Sequence, residues 1–168
     1  NTAVALKLAE SSTAKAISAV IAARSAQMLD EVTARDQYIN TALTEAPDEK
    51  SLCLAAKTEF LLKNENHQEA LNILHSLYAE GGLQSTAVLQ LELEAQQQAG
   101  NWDAVLELAG ILAKRQSVNK ALIKKIKHDA QIKNIKSKAT DLQSLNQYWQ
   151  QISPLDKMDS KLSAAAAR

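Results

Sequence analysis

The sequence predicts an all-α chain folded as a right-handed α-solenoid, a stack of helical hairpins that recurs every 35 residues. Three observations carry that expectation. With only four Gly and two Pro among 168 residues, and with Ala, Leu, Gln, Lys and Glu dominant, helix is favoured nearly throughout. Apolar residues then recur at helical spacing: Val105, Leu108, Ala109, Leu112 and Ala113 lie at i, i+3, i+4, i+7 and i+8, one stripe of an amphipathic helix. Finally, the stripe repeats. Thirty-five residues earlier the register holds Ala70, Ile73, Leu74, Leu77 and Tyr78, and thirty-five before that Arg35, Tyr38, Ile39, Ala42 and Leu43, apolar apart from Arg35. The expected tight turns at Asp30, Glu65 and Gly100 keep the same interval, the mark of a stacked repeat.

In chain order, residues 2–12 read as a short helix. Thr13 to Leu29 forms a small-residue helix with Ala16, Ala19, Val20, Ala23 and Ala26 on one side. Thr33 to Glu45 returns, and Pro47 ends it because the residue before a proline avoids the helical region. Ser51 to Lys63 runs out with Leu54, Phe60 and Leu61 as core, His67 to Ala79 returns, and Gly81-Gly82 stops it. Ser85 to Arg115 is the central hairpin, turned at Gly100 and restarted after an Asn101 cap. Trp102 should cover the hairpin end, and Asp103 favours the first helical turn. Ser117 to about Lys136 and Thr140 to Ile152 make a diverged fourth hairpin, with Tyr148 and Trp149 packed between it and a fifth. Ser153-Pro154 breaks the fourth, and Leu155 to Arg168 opens the fifth with a single helix. The expectation is one repeat domain over residues 1–168, with hairpins near 13–47, 51–82, 85–116 and 117–152 and partial helices at 2–12 and 155–168.

The totals narrow the function classes only a little. Net charge is zero, which points to neither nucleic acid nor an acidic substrate. One cysteine, Cys53, cannot form an internal disulfide. No run approaches the roughly 18 apolar residues of a membrane helix, and no signal peptide is visible. Starting at Asn1 without Met and ending in Ala164–Ala167, the chain reads as a piece of a longer protein.

The hairpins resemble tetratricopeptide repeats. Gly100-Asn101-Trp102-Asp103 sits where that family has its turn and following aromatic, Ala70 and Ala42 take the small position of the return helix, and Pro47 the closing proline. Thr58 and Leu93 stand where Gly or Ala is usual. A narrower likeness is to the HemY family, carried by IAARSAQMLDE (Ile21–Glu31), RDQYINTALTEAP (Arg35–Pro47), AKTEFLLKNENHQEALNIL (Ala56–Leu74) and GNWDAVLELAGILAKR (Gly100–Arg115), then by Gln147-Tyr148-Trp149 before Pro154. Gly110-Ile111 replace the Leu-Pro common before the basic pair Lys114-Arg115. The resemblance implies a bacterial inner-membrane protein held by N-terminal spans outside this sequence. It implies a soluble domain on the cytoplasmic side that supports late heme biosynthesis without catalytic residues of its own.

Charge is uneven despite the zero sum. Residues 30–103 hold thirteen Asp/Glu against four Lys/Arg, whereas residues 114–138 hold nine Lys/Arg against Asp129 alone. Lys120, Lys124, Lys127, Lys133 and Lys136 form the expected basic patch, on a helix whose seam is Leu122, Ile123 and Ile126. Such a patch suits an anionic membrane surface, at about 1 kcal/mol per cation, or an acidic protein; its bland reading is a solvated helix face. Nucleic acid fits poorly, because no aromatic interrupts Lys114 to Lys138. His67 and His75 lie eight residues apart, too far to share one ion, and no HExxH or CxxC occurs, so neither metal nor catalytic residues are expected. Heme ligation by His67, His75, His128, Cys53 or Met28 is an alternative without a motif. The leading expectation is a non-enzymatic scaffold without a cofactor, its polar lining supplied by Lys57, Glu59, Gln90 and Gln97 together with Gln84, Gln96 and Gln98. A tetrapyrrole carrier and a generic adaptor unrelated to heme are the alternatives.

Overall fold

The computed structural model describes residues 11–79, 85–115 and 118–167. Of these, 86% are helical and none lies in a strand. The chain forms two compact units, the first reaching Ala95 and the second starting at Gln96. The helix expected at 2–12 and the stop at Gly81-Gly82 fall outside the described residues, apart from Ser11 and Ser12.

The first unit contains α1 (Ser12–Met28), α2 (Val32–Glu45), a 3-10 turn (Pro47–Glu49), α3 (Lys50–Lys63), α4 (His67–Ala79) and most of α5 (Thr86–Ala99). Ser11 starts α1 by accepting the Ala14 N–H, and Ser85 does the same for α5 from Val88. α1 packs along α2, α2 on α3, and α3 along α4. Small residues set the close approach: Ala16, Ala23, Ala42, Ala46 and Cys53 are buried, with Val20, Ile39, Ala56 and Phe60 filling the adjoining core.

Two core expectations shift here. α2 buries Arg35, Ile39 and Ala42, so Tyr38 falls at the edge of the stripe and is 45% exposed. In α3, Leu54 and Leu61 are only half-buried, while Cys53, Ala56, Thr58, Phe60 and Leu62 are buried. α3 has a helix on two sides, and its buried surface is wider than one stripe. Thr58 tolerates full burial because its hydroxyl donates to the Leu54 carbonyl at 2.8 Å.

The second unit contains the end of α5, then α6 (Trp102–Arg115), α7 (Lys120–Lys138), α8 (Leu142–Gln151), α9 (Pro154–Lys157) and α10 (Ser160–Ala166). α6 buries Val105, Leu108, Ala109 and Leu112 as its periodicity demands. α7 packs against α6, α8 and α10. Around it Ile135, Leu145, Tyr148, Ile152, Leu162 and Ala165 close one core, with Trp149 half-buried on its edge. The expected seam of α7 is rotated: Leu122 is 50% exposed and Ile126 half-buried, and Ile123, Ala130, Asn134 and Ile135 are buried instead. Serving three neighbours forces that choice. The single helix expected from Leu155 is broken in two, because Asp159 turns its carboxylate onto the Lys161 and Leu162 amides and restarts the chain as α10.

The turns at Asp30, Glu65 and Gly100 share one geometry. Their φ angles are 61°, 58° and 74°, all left-handed. In each, the next residue's N–H reaches back to a carbonyl five positions earlier: Glu31 to Ala26 at 2.8 Å, Asn66 to Leu61 at 2.9 Å, Asn101 to Gln96 at 3.0 Å. Each turn residue also donates to the carbonyl three positions before it, completing a Schellman cap. The 35-residue pitch stops there. One further step would land on Ile135, which lies buried inside α7; the chain reverses only at Ala139-Thr140, with right-handed Ala139.

These caps make a graded prediction. Gly100→Ala should lower unfolding free energy by about 1 kcal/mol from backbone strain alone, since a Cβ there would meet nothing nearer than Trp102 Nε1 at 4.0 Å. Glu65→Gly should raise it by up to about 0.5 kcal/mol, and Asp30→Gly by less, because Asp visits the left-handed region more readily than Glu. Urea denaturation of the three variants checks the order.

Candidate functional site

In the first unit α2, α3 and the start of α4 enclose a recess of about 380 Å³. Arg35 forms its floor, only 6% exposed. Thirty-five and seventy residues further on stand Ala70 and Val105, both fully buried. An arginine survives there because every side of its guanidinium is met. Nε and Nη2 each approach Asp36 Oδ1 at 2.7 Å, Nη1 donates to Gln27 Oε1 at 2.6 Å, and the group lies 5.5 Å from the centre of the Phe60 ring. Asp36, Asn40, Lys57, Asn64, Asn66 and Glu69 supply the rest of the polar lining. Lys57 is half-buried, and no carboxylate among the described residues pairs with it.

The residues expected to line one surface with Lys57 each have their own surroundings. Glu59 is committed within the unit, accepting from Arg24 at 2.9 Å and pairing with Lys63 at 3.2 Å. Burial pushes the Glu59 carboxyl up, yet the hydrogen bonds and charges of Arg24 and Lys63 together hold it below its ordinary value. Gln90 is exposed on α5 and Gln97 half-buried near its end. Gln96 is buried and accepts from Asn101 Nδ2 at 2.7 Å. Gln98 is exposed, and Gln84 lies outside the described residues. Arg35, the floor of the recess, is marked by sequence periodicity only as a break in an apolar stripe, and nothing in that signal assigns it to a site.

The basic patch also separates. Lys120, Lys124 and Lys127 border one recess in the second unit, of about 560 Å³, between α7, α9 and α10. Lys133 leaves them, its Nζ 4.5 Å from the centre of the Trp102 ring. Lys136 borders a different recess beside Lys161 and Ala165. Lys138 bonds Asp103 at 2.8 Å and sits over Tyr148. Asp103 stands in the first turn of α6, as expected, and also bridges to α7, where it accepts from Asn134 Nδ2. The Lys138 hydrogen bond outweighs burial and, with Asn134, holds Asp103 below the usual carboxylate range.

Of the histidines, His67 is half-buried and His75 exposed on α4. His128 on α7 brings Nε2 to 3.2 Å from Asp159 Oδ2, within ion-pair reach but off the line of a hydrogen bond. Asp159 is held low by its cap to the Leu162 amide and then by His128. Among the described residues no three His, Cys, Asp or Glu side chains gather where an ion could be held. Met28 is exposed, whereas Cys53 is buried, and that burial, reinforced by Glu49, pushes its thiol up. Among the described residues no helix is long and apolar enough to cross a membrane. No family model, curated protein or solved structure matches this chain.

Asp103 gives a pH prediction with a definite sign. A carboxylate held below its ordinary 3.8 stabilises the fold above that pH and loses the contribution as pH falls through the lowered value. Asp103→Asn should therefore be less stable than the parent near pH 7, with the gap closing as the pH falls below 3.8. Thermal melts across that range read it.

Proposed function

We propose that this chain is a non-enzymatic protein–protein interaction scaffold of tetratricopeptide type, its hairpins stacked as a right-handed α-solenoid. The observation that carries the reading is the recurrence of one left-handed cap, with one hydrogen-bond pattern, at Asp30, Glu65 and Gly100. Repeats of this kind offer extended surfaces to partner chains. The recess over Arg35 supports an address for such a partner in the first unit: Lys57, Asn40 and Asn64 present hydrogen-bonding groups around a rigid, already satisfied floor. That arrangement favours an extended peptide whose polar side chains exchange for water at little ordering cost. The likeness to the HemY family gives the scaffold a setting, support of late heme biosynthesis at a bacterial inner membrane.

A photoreactive residue placed at Asn40 or Asn64 should crosslink late heme-pathway enzymes in cells, whereas one at the exposed Met28 should not. Lys57→Glu should abolish the product. Crosslinks to other proteins alone would leave a generic adaptor and remove the heme role. A hemin titration separates the carrier alternative: the scaffold predicts a flat Soret region, and a shift lost on replacing His67, His75 and His128 would overturn it.

A further inference from the structure

We propose that the second unit docks on an anionic lipid bilayer through the recess between α7, α9 and α10, independently of the scaffold reading. Lys120, Lys124 and Lys127 take the headgroup phosphates, and Leu155 and Met158 enter the acyl boundary. The three lysines lie at i, i+4 and i+7 of α7, spanning about 10 Å along one face. Three other lysines of the unit are already engaged: Lys133 on Trp102, Lys138 on Asp103, Lys157 on Trp149. No carboxylate among the described residues pairs with Lys120, Lys124 or Lys127. Two carboxylates share the recess, and both are held by protein donors. Asp156 accepts from Ser153 Oγ at 2.9 Å and Gln131 Nε2 at 3.3 Å, and Asp159 caps α10 beside His128.

The turn of α9 supplies the apolar component. It leaves Leu155 81% and Met158 82% exposed, and Leu155 borders the recess together with the lysines. An exposed Leu155 beside lysines with which no described carboxylate pairs, and an exposed Met158 at the end of the same turn, match the boundary between headgroups and acyl chains. A nucleic acid would need faces to stack upon, and the aromatics of this region are taken: Tyr148 is buried and Trp149 is half-buried under Lys157.

Flotation of the full chain with vesicles tests this. Equal parts phosphatidylglycerol and phosphatidylcholine should bind it, and phosphatidylcholine alone should not. Each of Lys120→Glu, Lys124→Glu and Lys127→Glu should lower the partition coefficient about tenfold. Lys125→Glu makes the same charge change outside the recess and should move it less than any of the three. An environment-sensitive dye on Met158→Cys, read in protein labelled only there because Cys53 is buried, should shift blue on the mixed vesicles. Circular dichroism confirms that each variant is folded, and Lys→Gln at the same positions should give a smaller loss of the same sign. Equal binding to neutral vesicles, an equal loss from Lys125→Glu, or an unmoved dye would overturn the proposal. So would binding of an oligonucleotide or an acidic peptide to this face without vesicle binding.

Discussion

Three of the helix connections in this chain, at Asp30, Glu65 and Gly100, depend on a single residue held at positive φ. A helix ends with carbonyls that nothing inside it can satisfy, and a return helix can begin within two or three residues only if the backbone swings sharply. A left-handed residue supplies the swing and aims its own amide and the next one at those carbonyls. Asp30, Glu65 and Gly100 all do this, although only Gly100 does so without a side-chain penalty. The local geometry is therefore worth its strain at Asp30 and Glu65, which is understandable when it keeps the packing register of Ile39 and Leu74, both buried.

From that register comes the first unit's polar recess. A stripe that accepts Ala70 and Val105 later in the chain accepts Arg35 only by giving its guanidinium three separate contacts. Burying a cation without them would be costly. The result is a charged but internally balanced floor, beside which Lys57 is the cation left without a carboxylate partner among the described residues.

The second unit abandons the pitch and depends on α7 instead. Because that helix touches α6, α8 and α10, its lysines point in several directions and meet different fates. Some lie against aromatic rings or a carboxylate, and one row stays open to solvent beside Leu155. Sequence density of charge thus becomes two unlike sets of lysines, one engaged within the unit, the other available.

Much of this was legible in the residues alone. Helical class, the stripes of α4 and α6, the three turn positions and the boundaries of His67–Ala79 all come from periodicity and local backbone preference, which act over a few residues and need no partner. What a side chain faces is a different kind of fact. The rotation of α7 away from Leu122, the exposure of Tyr38, the break before Asp159, the pairing of Glu59 with Arg24 and the division of the basic patch were decided by which helices lie alongside. A helix with one neighbour buries the stripe its sequence advertises. With two or three neighbours it buries what packing selects, and that selection is made only in three dimensions.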